Sequence, residues 1–157
     1  MIRDMINEDV PKVMELITEM HEHGVLSKWN INPERADYIL HKLLSYKEKG
    51  ENVFLQVLEL DEKVVGFFGG EVITNEWVDC NMAVDLGFYI TPEYRKGTYG
   101  VRMIKNFEKW SASVAKCDLI RVAVFAGVAN DRTASLLDRI GFSRAGTLHN
   151  KELQSCA

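Results

Sequence analysis

The hydrophobic pattern of the chain changes period near residue 52, and this change limits the folds that the chain can adopt. The stretch NVFLQVLELDEKVVGFFGGEVI contains two apolar runs, residues 53–58 and 64–73, with the polar sequence DEK between them. Short runs rich in Val, Leu and Phe that flank polar turn residues are typical of a strand, a turn and a second strand. Residues 80–90, CNMAVDLGFYI, continue the series, so the sequence predicts three consecutive strands at the centre of the chain.

Apolar residues recur at helical spacing on both sides of these strands. Pro11 lies in the first turn of one predicted helix and Pro33 at the first position of the next, where the missing N–H has no cost. Asn32 is the expected cap of the second helix, and Gly24 and Gly50 end the two helices. Further helices are predicted for residues 100–114 and 130–139, and further strands for residues 1–5, 119–125 and 144–153.

The predicted element order is β-α-α-β-β-β-α-β-α-β, within one domain that covers residues 1–157. An antiparallel meander comes first and a right-handed β-α-β crossover follows. The sequence therefore predicts an α/β (α+β) domain with a mixed sheet.

Charge and cysteine usage narrow the function classes. The net charge of −4 argues against a nucleic-acid partner and suits a cationic or neutral small molecule or a basic peptide. Three separated cysteines form no CxxC pair and four histidines show no HExxH spacing, so we expect no metal site. No run approaches about 18 apolar residues and the N-terminus lacks a signal-peptide core, which predicts a cytoplasmic protein without a membrane partner.

The most unusual passage is TPEYRKGTYGVRMI, residues 91–104, which leads from a predicted strand into a predicted helix. It contains neither GxxxxGK[ST] nor GxGxxG. A helix N-terminus presents unpaired N–H groups and a partial positive charge, and the two glycines allow close approach of the backbone. With Arg95, Lys96 and Arg102 nearby, two interpretations stand side by side: an anion-binding loop, or an ordinary turn with solvated basic residues.

Two passages resemble the signature of the GNAT N-acetyltransferase superfamily. FYITPEYRKGTYGVRMI is similar to its acetyl-CoA-binding motif, in which Arg/Gln-x-x-Gly-x-Gly/Ala opens a helix after a strand. Arg95 and Gly100 match the first and last positions, while Thr98 replaces the middle glycine and Gly97 lies one place earlier. VAVFAGVANDRTASLLDRIGFSRAGTLHNKEL resembles the second half of the signature, with matches at Asn130, Ala134, Leu136, Gly141 and Phe142. The sequence as a whole also resembles small acetyltransferase-like proteins of bacteriophages.

The resemblance implies a mostly antiparallel central sheet of about six to seven strands with helices on both faces. It also implies that the strands at residues 80–90 and 119–125 are parallel neighbours that separate to admit the pantetheine arm of acetyl-CoA. The backbone of Phe88, Tyr89 and Ile90 would bind that arm, and a free N–H near Tyr89 or Ile90 would polarise the thioester carbonyl. The remaining contacts to the cofactor would come from Arg95, Lys96, Gly97, Thr98, Tyr99, Gly100, Val101, Arg102 and Asn130.

Acetyl transfer to an ammonium substrate needs a base, and an acid for the thiolate leaving group. Asp85 and Glu71 are the candidate catalytic bases, because burial raises the pKa of a carboxyl toward neutrality. Each is equally consistent with a purely structural carboxylate, and a water relay requires neither. Leu137 stands where family members often carry a Tyr. The alternatives for the acid are Tyr89, Tyr99, His149, water, or no group at all, since the pKa of a thiol is only about 8.5.

The sequence therefore predicts an acetyl-CoA-dependent N-acetyltransferase that acts by direct attack of a primary amine of a small molecule or peptide. One alternative is a CoA-binding module that has lost catalysis, which Thr98 and Leu137 motivate. Another is an enzyme that modifies nucleic-acid bases, which the negative charge disfavours. Exposed strand edges leave a homodimer open.

Overall fold

A five-stranded sheet forms the centre of the computed structural model, which describes residues 1–124 and 130–151. Its strands lie in chain order: β1 (Ile2–Asp4), β2 (Val53–Leu60), β3 (Lys63–Thr74), β4 (Asn81–Ile90) and β5 (Leu119–Arg121). Adjacent strands are antiparallel except for β4 and β5, which are parallel. The helices are α1 (Val10–Glu22), α2 (Pro33–Glu48), α3 (Tyr99–Ser113) and α4 (Asn130–Arg139). The predicted fold class is confirmed.

The helix boundaries follow the sequence signals that predicted them. The Asn32 side chain accepts the N–H of Arg35 at 2.9 Å and caps α2, whose first residue is Pro33. Gly50, just after α2, has a φ of +78°, the left-handed conformation that glycine adopts without strain. None of the helices in the described ranges is long and apolar enough to cross a membrane.

The strand count is lower than predicted, because the described residues contain five strands rather than six to seven. The predicted strand at residues 144–153 is wrong over its described part, 144–151, which has no regular structure and exposed side chains. No apolar face holds that segment against the sheet, and residues 152–153 lie outside the described ranges. The predicted strand at residues 119–125 is also too long. Its pairing ends at Arg121, residues 122–124 leave the sheet, and Phe125 lies outside the described residues.

The sheet carries a separate hydrophobic core on each face. We call the side covered by α1 and α2 the α1 face, and the side covered by α3 and α4 the α3 face. The α1-face core joins Val57, Phe67 and Tyr89 of the sheet to residues of both helices. The α3-face core is rich in aromatic side chains, which contact each other with ring centroids 4.8 to 5.8 Å apart: Phe54, Phe68, Phe107 and Trp110. Helices on both faces were predicted, and this arrangement agrees.

A β-bulge interrupts the pairing of β3 and β4 at the middle of β4. Gly69 pairs with Gly87 and Gly70 with Asp85, so Leu86 is the extra residue. A Cβ at Gly70 would lie 2.5 Å from Cε2 of Phe107, which explains why this position has no side chain. The bulge matters for function because it bends a strand and re-aims the groups that follow it.

An ionic contact fixes the start of the chain to the sheet. The Arg3 guanidinium donates to both carboxylate oxygens of Asp9 at 2.7 and 2.8 Å, and its Nε donates to Glu59 at 2.6 Å. Asp9 is buried and also accepts the N–H of Ile6. β1, β2 and the start of α1 are therefore held together at the end of the sheet where β4 terminates.

Candidate active site

β4 and β5 pair only at their N-terminal ends and then separate. The pairing joins residues 82–84 to residues 119–121, and beyond Val84 the edge of β4 has no partner strand within the described ranges. At the point of separation, the Asp85 carboxylate accepts the N–H of Ala123 at 2.7 Å. A side chain thus replaces the backbone ladder there, and the last six residues of β4 present an open edge.

The hydrogen bonds at the end of β4 reveal which backbone groups face this open edge. The N–H of Thr91 donates to the carbonyl of Val65 in β3 at 3.0 Å. Because successive residues of a strand direct their backbone groups to opposite sides, Tyr89 also faces β3, while Phe88 and Ile90 face the open edge. Of the three residues predicted to offer backbone contacts, the geometry therefore leaves two in a position to do so.

Arg95 folds back onto the end of β4. Its Nε donates to the carbonyl of Ile90 at 2.6 Å, and its guanidinium lies over the ring of Tyr89, 5.0 Å from the centroid. The carbonyl of Ile90 is thereby occupied. The open edge retains the N–H and C=O of Phe88 and the N–H of Ile90.

The loop between β4 and α3 ends in an unpaired helix N-terminus. Gly97 has a φ of +100°, whereas Thr98 has a φ of −107° and precedes the first helical residue. The N–H of Arg102 donates to the carbonyl of Thr98 at 2.9 Å, and the Thr98 side chain makes no cap. Within the described part of the chain, the N–H groups of Tyr99, Gly100 and Val101 consequently have no acceptor, and the helix adds a partial positive charge. The loop has the chemistry of an anion site.

Two of the three basic residues in this region are available to an anion. Lys96 and Arg102 are exposed, and neither forms an ion pair with any residue in the ranges 1–124 and 130–151. Arg95 is half-buried and its Nε is engaged by Ile90. Positive charge is therefore concentrated at the beginning of α3.

Tyr89 connects the end of β4 to α1. Its hydroxyl donates to Oε1 of Glu19 at 2.8 Å on the α1 face. Burial, and then the hydrogen bond to Glu19, raise the pKa of Tyr89 to about 12. The phenol is thus protonated over the usual pH range and is directed at a carboxylate of α1.

The three predicted catalytic side chains are not brought together. Asp85 pairs with Gly70 and Glu71 with Val84, so the two carboxylates project from opposite faces of the sheet. Burial raises the pKa of Asp85 above its ordinary value, although the hydrogen bond from Ala123 partly opposes this shift. Glu71 is half-buried and makes no hydrogen bond or ion pair with the residues that the structure describes.

The remaining predicted residues have mixed positions. Asn130 is the first residue of α4, and its side chain lies outside the described part of the structure. Leu137 is only 6% exposed and packs in the α3-face core. Tyr99 is half-buried against the same core, and His149 is exposed in the irregular segment after α4. No cluster of three or more His, Cys, Asp or Glu side chains capable of holding a metal occurs among the described residues.

Sequence reasoning missed Glu19. It lies among the polar positions of α1, and its partner Tyr89 is 70 residues away, so no local pattern signals the contact. Glu19 also lines a groove of about 640 Å³ between α1, the β2–β3 turn and the loop after β4, which we call the α1 groove. More carboxylates than cations line this groove. The carboxylates are those of Glu8, Asp9, Glu15, Glu19, Glu59 and Glu62.

The fold and motif match proteins of one family. A family model described as acetyltransferase (GNAT) family matches residues 10–142. A GNAT family acetyltransferase from Staphylococcus aureus has 20% identity and a TM-score of 0.66, with 98% of each chain covered.

Two further solved structures are aminoglycoside acetyltransferases. AAC(6')-Iy in complex with the bisubstrate analog CoA-S-monomethyl-acetylneamine has 13% identity and a TM-score of 0.72, over 98% of this chain and 97% of that one. The aminoglycoside antibiotic 6'-N-acetyltransferase AAC(6')-IG from Acinetobacter haemolyticus has 14% identity and a TM-score of 0.71, over 98% of each chain. At these identities the likeness shows the fold alone. No curated protein matches the chain in sequence.

Proposed function

The chain belongs to the GNAT acetyltransferase family, and from that premise we propose that it transfers an acetyl group from acetyl-CoA to a primary amine of a small molecule or peptide. Two neighbouring features carry the proposal: the open edge of β4, and the N–H groups without acceptors at the start of α3. A strand edge can pair with the amides of a pantetheine arm, and a helix N-terminus can bind a pyrophosphate. The two lie directly beside each other in the chain.

The residues present fit coenzyme A. We assign the pyrophosphate to the N–H groups of Tyr99, Gly100 and Val101, with Lys96 and Arg102 as the neighbouring cations. Phe88 offers its C=O, and Ile90 its N–H, to the amide groups of the pantetheine arm. Bound acetyl-CoA supplies the thioester that is attacked. Arg95 and Asn130 remain predicted contacts, and for Arg95 the hydrogen bond to Ile90 favours an indirect contribution.

Asp85 is the carboxylate that we propose as the general base. It lies on β4 immediately before the bulge, and the N–H of Ala123 donates to its Oδ1. Burial raises the pKa of Asp85, and a higher pKa makes the carboxylate a stronger base. Glu71 has no hydrogen-bond partner among the described residues that would hold it, and the Tyr89 hydroxyl is engaged by Glu19, so neither has the same support. We assign no acid, since a thiolate is an adequate leaving group, and Phe88 N–H is the proposed donor to the thioester oxygen.

A cationic acceptor fits the charge distribution. The net charge is −4, and the α1 groove beside the loop contains six carboxylates against the three cations Arg3, Lys12 and Lys63. Such a surface concentrates ammonium compounds and disfavours nucleic acid. We also propose a cytoplasmic location. The outer edge of β1, which has no partner among the described strands, is a surface through which a homodimer could form.

Two measurements test this proposal. Titration calorimetry with acetyl-CoA is expected to give saturable binding with a Kd of tens of micromolar or tighter, and thiol release with a panel of amines is expected to give turnover. Absence of binding rejects the proposal.

A second candidate function, a CoA-binding module without catalysis, is supported by the burial of Leu137 in the place of a family Tyr. Binding without turnover on any amine would favour that candidate.

A further inference from the structure

Three side chains form a continuous series of contacts from α1 to the loop after β4. Glu19 of α1 accepts the hydroxyl of Tyr89 at 2.8 Å. The ring of Tyr89 lies under the Arg95 guanidinium at 5.0 Å. Arg95 in turn donates to the carbonyl of Ile90 at 2.6 Å. The series starts on the face opposite α3 and ends at the first residues of the proposed cofactor loop.

Each contact restricts a group that the cofactor loop depends on. The hydrogen bond to Glu19 fixes the orientation of the Tyr89 ring, which is only 4% exposed. The ring face attracts the guanidinium and limits its rotation. Arg95 is the fifth residue after Ile90, and its hydrogen bond to the Ile90 carbonyl ties it back to the strand end. Residues 91–95 therefore form a closed turn. A second anchor exists at the other end of this turn, where Thr91 donates its N–H and its hydroxyl to Val65.

We propose that Glu19 is a positioning residue for the cofactor loop, acting through Tyr89 and Arg95 without touching the cofactor. The inference rests on the proposed function and deepens it, because it assigns to α1 a part in binding coenzyme A. The proposal predicts a change in CoA affinity opposite in sign to the one that electrostatics predicts for loss of Glu19. Coenzyme A is an anion, so removal of a nearby carboxylate should by electrostatics alone strengthen its binding. Loss of a positioning contact should weaken it.

The sign of the effect is therefore the test. Glu19→Ala is expected to weaken CoA binding about 3- to 10-fold in calorimetry, a range set by the loss of one charge-assisted hydrogen bond transmitted in part to the loop. In steady-state assays with the amine also saturating, the KM for acetyl-CoA should rise by a larger factor than kcat falls. Tyr89→Phe breaks the same hydrogen bond and keeps the ring under Arg95. It should give a similar loss, and the double variant should be no weaker than the weaker single one.

Two matched controls separate charge from position. Glu15→Ala removes the same charge from the same helix and the same groove, but Glu15 pairs with Lys12 and does not contact Tyr89. Glu19→Gln removes the charge and keeps an oxygen that can accept the phenol proton. Both are expected to bind CoA as tightly as the wild type or more tightly. Thermal unfolding of each variant verifies that it is folded.

The possible outcomes are distinct. If the wild-type protein fails to bind CoA, the proposed function is rejected and this inference is rejected with it. If the wild type binds and Glu19→Ala binds as tightly as Glu15→Ala, only the positioning role is rejected. Additive losses for Glu19→Ala and Tyr89→Phe would likewise reject it, since the two changes would then act through different contacts.

Discussion

Replacement of Gly97 by Ala tests the geometry of the cofactor loop. Gly97 has a φ of +100°, and a Cβ built there would meet no other atom within 4 Å. The cost of the methyl group is therefore local backbone strain, about 1–2 kcal/mol. Ala also lowers the entropy of the unfolded chain, which offsets about 0.4–1 kcal/mol. We expect a net penalty of about 1 kcal/mol.

This penalty must appear in one of two measurable quantities. If the free loop keeps its conformation, the free energy of unfolding falls by about 1 kcal/mol in urea denaturation. If the free loop relaxes and regains the native turn on binding, stability is preserved and the Kd for CoA rises roughly 5-fold. The loss of unfolding free energy and the loss of CoA-binding free energy should together equal the net penalty of about 1 kcal/mol.

Thr98→Gly is the matched control for this prediction. Thr98 has a φ of −107°, which any residue adopts, so glycine relieves no strain there. We expect CoA binding to be unchanged or weaker in this variant. The reasoning is refuted if Gly97→Ala changes neither stability nor binding, or if Thr98→Gly binds CoA more tightly than the wild type.

Three further predictions concern stability. Because burial raises the pKa of Asp85 in the folded state, its ionised form disfavours folding. The wild type should therefore lose stability relative to Asp85→Asn as the pH rises from about 4 toward neutrality, and parallel curves of unfolding midpoint against pH would contradict this. Arg3→Met leaves the buried carboxylate of Asp9 without its bidentate partner and should cost about 3 kcal/mol in urea denaturation; a loss below about 1 kcal/mol would show that Asp9 finds another partner. Gly70→Ala places a methyl group 2.5 Å from the Phe107 ring and should cost about 1–3 kcal/mol; an unchanged denaturation midpoint would show that the ring moves freely.

The parts of the fold that local patterns encode were predicted well. The meander of β2, β3 and β4 follows from apolar runs and their turn, and α2 follows from Asn32 and Pro33. The loop into α3 was also located from sequence, and the structure shows that Thr98, in the place of the middle glycine, has an ordinary backbone with a φ of −107°. The left-handed residue is Gly97, one place earlier, so the motif keeps its turn with a shifted glycine.

The parts that failed depend on contacts distant in sequence. The apolar run at residues 119–125 indicates a long strand, but its pairing stops where Asp85, 38 residues away, takes the N–H of Ala123. The cofactor contact of Arg95 stays a prediction, and its side chain turns toward Tyr89 and Ile90 at the nearby strand end. Glu19 carries no local signal at all. Sequence patterns give the period and the turn residues, but not the direction in which a half-buried side chain points.

The central claim is that the open edge of β4 and the N-terminus of α3 together bind coenzyme A, and amide chemical shifts test it most directly. In a titration of ¹⁵N-labelled protein with CoA, we expect saturable shifts at Tyr99, Gly100 and Val101, and at Phe88 and Ile90. The exposed Trp77 at the β3–β4 turn should not respond. Shifts confined to other surfaces, or no saturable shift in α3, would contradict the account.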